Sequence, residues 1–353
     1  MGSFGRSEDL PSASEPFLVL AHPTDSELKR IWTMTHGPWG PALSLDEYIE
    51  REAYLYTIPG SKDGLQSSWI LTDGRLPPDA RPILSSCDTY RKHAMVSYPP
   101  PAPGQAATAA TDVVAHGIGA VFTDPQFRGQ GYASRMMREV GEALRSYQAS
   151  ENHNGQLVTN GDEKAAQAGA LFSVLYSDIG KKFYSKLGWL PAESTHVTWM
   201  PAPEGAADDD AAAAAAALDE AVRPLGRSEL AELCAADERL LRARLAETAG
   251  QTGKAAVALT PTHDAMTWHL DREDFMCSRV FPDGRTPAAA LWRVRDVQLW
   301  NPAGAVRRLV EACGVPCEWV AREEDSIASL MWYGEGGAGR AVEWVANDKF
   351  AWC

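Results

Sequence analysis

The sequence predicts a mixed α/β fold. Three observations carry that expectation. Short runs rich in branched and aromatic residues alternate with segments whose apolar residues recur every three or four positions. Gly- and Pro-bearing turns separate the two kinds of segment. A chain of 353 residues, 45% of them hydrophobic, has the length for two domains and the apolar content for sizeable cores.

In chain order, the polar stretch 1–16 reads as a disordered N-terminus. A domain over 17–201 then opens with a strand, Phe17 to Ala21, and two helices, Asp25 to Met34 and Leu45 to Tyr56. Strands are expected near Trp69 to Thr72, from Ile83 to Val96 and from Val113 to Thr123, with a long Pro- and Ala-rich loop over 99–112 before the last. A helix runs from Gly131 to about Tyr147, because Ala133, Met136, Met137, Val140 and Leu144 form one apolar stripe. A strand (Ala170 to Tyr176), a helix (about Asp178 to Leu187) and a strand around His196 to Met200 complete the domain.

The Ala- and Asp-rich stretch 202–221 reads as a linker. Beyond it, 222–353 is expected to hold a helix from Arg227 to about Thr248, a second over "PTHDAMTWHLDREDF" and a strand in "AAALWRVRDVQLW". A helix in "NPAGAVRRLVEACG" is opened by Asn301 and Pro302 and stopped by Gly314. Short strands follow around Cys317 to Ala321, Ser329 to Tyr333, Val342 to Val345 and Lys349 to Trp352. The order strand, Pro turn, helix, strand, hairpin echoes the first domain. The expectation is a degenerate second copy of the same fold that walls the substrate site.

A formal net charge of −14 opposes a phosphate-backbone partner and suits a cationic small substrate. No stretch approaches the roughly 18 apolar residues of a membrane span, and the polar opening lacks the apolar centre of a signal peptide. Six cysteines stand without disulfide or metal-site spacing. These features predict a cytoplasmic protein with no metal, nucleic-acid or membrane partner, and they leave its oligomeric state open.

The stretch "VFTDPQFRGQGYASRMM", Val121 to Met137, delivers a strand through a Pro turn and two glycines into a helix. Unpaired backbone N–H groups converge at such a helix start, and its dipole favours an anion. Gly129 and Gly131 permit close backbone approach and Arg128 adds a fixed positive charge, so a phosphate is the natural ligand. A P-loop would need a Lys that is absent here. A dinucleotide fingerprint would need a third glycine where Ser134 stands.

What matches is Arg-x-x-Gly-x-Ala at Arg128, Gly131 and Ala133, followed downstream by "DIGKKFYSKLGWLP" with Phe183, Tyr184, Gly188 and Trp189. Both segments resemble the Gcn5-related N-acetyltransferase (GNAT) superfamily. The resemblance implies a GNAT fold and acetyl-CoA as co-substrate. Its pyrophosphate would be bound by Arg128, Gly129, Gln130, Gly131, Tyr132, Ala133 and Ser134, with a backbone oxyanion donor around Phe122 and Thr123. It further implies that Tyr184 protonates the departing thiolate, and that Ser177, where relatives often carry Asn, contacts the pantetheine arm. Gly180, lacking a side chain, would leave room for the ligand beside the phenol.

An amine must lose a proton before it attacks a thioester. His116 is the candidate base, since an imidazole titrates near neutral pH and relatives often place a Glu nearby; a water relay is the alternative. In the second half, Trp268, His269, Arg272 and Glu273 are the candidate substrate contacts, the last three sharing one helical face able to bind a carboxylate and an ammonium. Together with "HGPWG" and "WHLDREDF", the chain is similar over most of its length to the fungal free-lysine N6-acetyltransferase family. The resemblance implies acetylation of a small primary amine, foremost the side-chain amine of free L-lysine. Acetylation of another amine, such as an amino-bearing secondary metabolite, and a non-catalytic acyl-CoA-binding module remain alternatives.

Overall fold

The computed structural model describes residues 10–102, 104–147, 169–199, 226–281, 297–300, 304–312, 316–337, 342–348 and Phe350. The linker expected over 202–221 and most of the strand expected from Lys349 to Trp352 lie outside the described residues.

Strand β1 (Leu18–Ala21) leads into α1 (Asp25–Trp39) and α2 (Leu45–Leu55). Each helix starts at a reciprocal cap, Thr24 with Glu27 and Ser44 with Glu47, which satisfies the first-turn amides. Strands β2 (Gln66–Asp73), β3 (Ser85–Ser97) and β4 (Thr111–Phe122) follow as an antiparallel run. A short 3-10 turn, Pro125–Phe127, capped by Asp124, passes the chain to α3 (Tyr132–Ala143). Next come β5 (Phe172–Ser177), α4 (Lys182–Ser185), β6 (Leu190–Pro191) and β7 (Thr195–Trp199). The helix expected over Asp178 to Leu187 is only this brief α4, because the chain before it is occupied by a turn closed through Ser177.

The C-terminal part adds α5 (Leu230–Thr252), β8 (Ala256–Leu259), α6 (His263–Val280), β9 (Val297–Trp300), α7 (Gly304–Ala312), β10 (Glu318–Ala321), β11 (Ile327–Trp332) and β12 (Glu343–Trp344). Two of these strands enter the sheet of the N-terminal part. The sheet runs β1-β2-β3-β4-β5-β11-β6. Strand β8 pairs β3 at Ala94 to Ser97, on the stretch beyond the β2 pairing that ends at Tyr90. All six residues of β11 and all four of β8 are buried, as strands covered on both faces must be. Conversely, β7 leaves the first sheet and lies between β10 and β9 in a small second sheet.

Apolar residues of α3 (Met136, Met137, Val140) pack on the sheet with Trp69, Leu71, Leu175, Tyr184 and Trp189. Leu10, Ala13 and Phe17 pack against the same cluster. Tyr132 Oη donates to Pro11 O, and Arg135 Nη1 donates to Ala13 O at 2.7 Å. The disorder expected over 1–16 therefore does not extend to Leu10–Pro16, whose carbonyls are held by the start of α3.

Strands β4 and β5 are parallel, and their pairing runs only from Ala115↔Phe172 to Ile118↔Leu175. Beyond that point they part. At the same level β4 carries an extra residue relative to β3, since Ser86 pairs Phe122 while Asp88 pairs Gly119. Ala120 absorbs this bulge with a left-handed φ of 50°.

Candidate active site

The parting strands open onto a cavity of about 450 Å³. Residues from β3, β4, β5, α1, α2, α6 and the α4 turn line it, and its size suits a small ligand.

On the far side of β4 the Gly-rich turn takes the expected form. Gly129 and Gly131 have φ of 79° and 85°, and a Cβ added at Gly129 would meet no atom within 4 Å. Gly131 is the N-cap of α3 and brings no side chain to cap its amides. Arg128 is exposed, its Nε donates to Thr123 O at 3.0 Å, and it has no carboxylate partner among the described residues. Open first-turn amides, an open cradle at Gly129 and a free guanidinium head fit a pyrophosphate. Gln130 is exposed as well, and Ala133 and Ser134 are half-buried. Tyr132 is buried with its hydroxyl held by Pro11, so it offers a ligand only its amide.

Phe122 and Thr123 sit behind this turn, where their carbonyls accept from Ser85 Oγ and Arg128 Nε. The bulge residues Ala120 and Val121 line the cavity, whereas Phe122 and Thr123 do not. Of the strand end expected to supply the oxyanion donor, the cavity therefore meets the bulge at Ala120 and Val121 and not Phe122 or Thr123.

Tyr184 lines the cavity from α4, 7% exposed, with its ring edge-on to Phe183 and Trp189. Burial, with Cys87 and Asp178 adding, pushes its phenol far above the ordinary range. It stays protonated at any working pH, the state a proton donor needs.

Three expectations are corrected. His116 is 1% exposed, does not line the cavity, and neither ring nitrogen has a hydrogen-bond partner among the described residues. Burial first, then the Arg91 charge, lowers its pKa to about 3, which removes the basicity that a general base requires. Ser177 does not reach the cavity either: its Oγ donates to Gly180 O at 2.7 Å and accepts from Ile179 N, closing a local turn. The space beside Gly180 is filled by protein, because a Cβ there would meet Glu323 O at 3.3 Å.

The group that the sequence did not single out is Asp88 on β3. It lines the cavity and accepts hydrogen bonds from Ser68 Oγ and, at 3.2 Å, from Gln66 Nε2. Burial, and secondarily the Glu52 charge, outweigh those bonds and raise its pKa to about 7. A carboxyl group titrating near neutrality in a cleft has the properties of an acid–base catalyst. Alternation on β3, which puts Asp88 on the face opposite Thr89, was the one available signal.

Of the four residues expected on α6, Trp268 and Arg272 line the cavity, one helical turn apart. Trp268 Nε1 donates to Ser61 Oγ at 2.9 Å, fixing the helix against the turn after α2. His269 instead faces Phe350, with 3.0 Å between Nε2 and the carbonyl oxygen, and Glu273 is exposed. Neither lines the cavity. From α2, Tyr48, Arg51 and Glu52 complete the wall.

Residues 205–289 and 285–353 match the family model described as the LYC1 GNAT-like C-terminal domain. Over those C-terminal residues, less than half of its length, the chain is similar to a GNAT-like domain. It is 29% identical over 166 residues to a lysine acetyltransferase of Yarrowia lipolytica, covering 46% of this chain and 38% of that protein. It is 28% identical over 206 residues to an uncharacterised protein of Saccharomyces cerevisiae, covering 53% and 46% respectively. The chain thus spans less than half the length of each of these two relatives. A solved GCN5-related N-acetyltransferase from Kribbella flavida is matched over 89% of this chain and 72% of its own, with 14% identity and a TM-score of 0.41. Among the described residues no cluster of His, Cys, Asp and Glu could hold a metal ion, and no helix is long and apolar enough to cross a membrane.

Proposed function

We propose that this protein is a GNAT-type, acetyl-CoA-dependent N-acetyltransferase acting on a small primary amine, with the side-chain amine of free L-lysine as the leading acceptor. One observation carries the reading: Tyr184, the Ala120 bulge and Asp88 face a single cavity where β4 and β5 part, on the strand that runs into the Gly-rich turn. The kinship to a protein named as a lysine acetyltransferase supports the choice of acceptor.

Acetyl-CoA supplies an activated thioester, and the turn at Arg128 to Ala133 holds its pyrophosphate. Asp88 accepts the proton that the ammonium must lose. The neutral amine attacks the thioester carbonyl directly, backbone N–H groups at the bulge bind the oxygen that gains charge, and Tyr184 donates its proton to the departing thiolate. The raised pKa of Asp88 suits its task, because it narrows the gap to an ammonium that titrates near about 10.4. Incubation of the protein with acetyl-CoA and a mixed amine library, followed by mass analysis, tests the reading. An acetylated amine and released CoA are expected; binding of acetyl-CoA without transfer to any amine would reduce the protein to an acyl-CoA-binding module.

A further inference from the structure

Asp88 is held from behind by two hydroxyl groups in series. Ser68 stands directly opposite it in the antiparallel pairing of β2 with β3, so both side chains leave the sheet on one face. Ser68 Oγ donates to Asp88 Oδ1, and the hydroxyl of Tyr56, the residue that ends α2, meets the same Ser68 oxygen. Because Ser68 commits its single proton to the carboxylate, Tyr56 is the donor in the second bond, and the series runs from Tyr56 to Ser68 to Asp88. Gln66 Nε2 donates to the other carboxylate oxygen at 3.2 Å. Asp88 and Gln66 line the cavity, whereas Ser68 and Tyr56 do not. The two hydroxyls therefore act on a ligand only through Asp88.

We propose that Ser68 and Tyr56 are positioning residues for the proton-accepting step: their paired hydroxyls pin one oxygen of Asp88 to β2 and leave the free lone pairs of the carboxylate to the acceptor ammonium. The proposal rests on Asp88 as the base of the acetyltransferase reading and adds the device that fixes that base in place. Each carboxylate oxygen offers two lone pairs, so one donor apiece leaves a lone pair on each for an N–H of the acceptor. That N–H bond breaks as an O–H bond forms on Asp88, and the electron pair stays on nitrogen. Burial opposes the ionised carboxylate most, the Ser68 bond is the largest influence in its favour, and the Glu52 charge is a smaller one against it. Arg51 on α2, Arg272 on α6 and Asp178 before α4 also face the cavity, as do the phenols of Tyr48, Tyr90 and Tyr184 and the Cys87 thiol. His22 lies on the backbone side, with Nδ1 2.8 Å from Ser68 O. In a site withdrawn from water each bond of the series polarises the next, so loss of the Tyr56 hydroxyl is felt at Asp88 through Ser68.

The test uses Ser68→Ala and Tyr56→Phe, each of which removes one hydroxyl and little volume, with thermal melting as a check on folding. The acceptor is the amine of the mixed library that turns over fastest, and kcat/KM is followed between about pH 5 and about 10. In Ser68→Ala the rise of kcat/KM should move up by about 1–2 pH units, the value of one hydrogen bond to a charged acceptor. On the plateau, KM for the amine and acetyl-CoA affinity should stay close to the wild-type values. Tyr56→Phe should move the rise the same way by less. In an Asp88→Asn background, Ser68→Ala should lower kcat no further. A rise that stays in place in Ser68→Ala while the melting temperature falls would make the hydroxyl merely structural, and an equal loss of kcat in the Asp88→Asn background would detach it from Asp88; either result overturns the proposal. No transfer to any amine would instead sink the acetyltransferase reading. The titration of the Asp88 carboxyl carbon, followed by NMR in wild type and Ser68→Ala, then decides the hydroxyl pair alone: the same upward shift is expected, and an unmoved titration refutes it.

Discussion

Ser326 donates both its backbone amide, at 2.9 Å, and its hydroxyl, at 3.1 Å, to Asp178 Oδ1. Asp178 lines the cavity on the turn before Tyr184, so a loop from the last third of the chain braces the segment that carries the phenol. Lys181 and Glu323 pair across the same junction at 2.7 Å, an exposed contact of little weight.

Asp178→Ala should remove two hydrogen bonds to a charged acceptor and cost about 1–3 kcal/mol of unfolding free energy. Turnover should fall with it while acetyl-CoA affinity holds, because the brace acts on Tyr184 and not on the Gly-rich turn. Denaturant unfolding and steady-state kinetics check both parts, and a variant as stable as the wild type would show that the brace carries no load.

Tyr184→Phe keeps the ring and its edge-on contacts but deletes the proton donor. A drop in kcat of about 10²- to 10⁴-fold is expected, with acetyl-CoA affinity nearly unaltered. Parallel loss of affinity and turnover would count against the acid role.

Arg128→Ala should weaken acetyl-CoA binding by about tenfold or more and reduce its salt dependence, since an exposed charge facing a pyrophosphate is screened by ions. The apparent affinity for the amine should not move. Calorimetric titration with CoA at two ionic strengths reads the effect.

Asp88 must be ionised to take a proton, so kcat/KM should rise with pH through about 7 and then level. Asp88→Asn should flatten that limb and lower turnover. Stability moves the other way: the folded pKa is raised, so this group's contribution is complete below the unfolded value near 4. It is lost as pH rises through about 7. Melting temperatures of wild type and Asp88→Asn between pH 4 and about 8 should diverge in that sense.

Glu27 is fully buried and joined to Arg81 through Nε at 2.8 Å and Nη2 at 2.9 Å. Burial opposes its charge, yet Arg81 and the amides of Thr24 and Asp79 outweigh it and lower its pKa to about 2. The folded pKa is depressed, so the stabilisation is present above the ordinary carboxylate range and vanishes as pH falls through about 2. Glu27→Gln should cost about 3–5 kcal/mol near neutral pH by leaving the Arg81 charge buried, which urea unfolding measures.

Local features were legible because local chemistry produces them. The glycine turn could be read because a left-handed φ at Gly129 and Gly131 and an uncapped helix start are fixed by residues within a few positions of one another. The stripe from Ala133 to Leu144 likewise shows its period in the sequence. The helix from Asp178 to Leu187 was misread because Ser177 satisfies the backbone ahead of it by a side-chain bond that apolar spacing cannot reveal. His116 looked useful because an imidazole in water titrates near neutrality, and only its depth beside Arg91 removes that property.

By itself, then, the sequence determined the mixed α/β class, the Gly-rich turn into α3, and Trp268 with Arg272 as neighbours on one helix. Tertiary structure alone decided that β8 and β11 enter the first sheet, because strand pairing joins residues far apart in the chain and leaves no local spacing. It also decided that Asp88 from β3, Arg51 and Glu52 from α2 and Arg272 from α6 meet in one cavity. The charge that each carries is written in its residue type. The value of that charge depends on burial and neighbours, which exist only once the chain is folded.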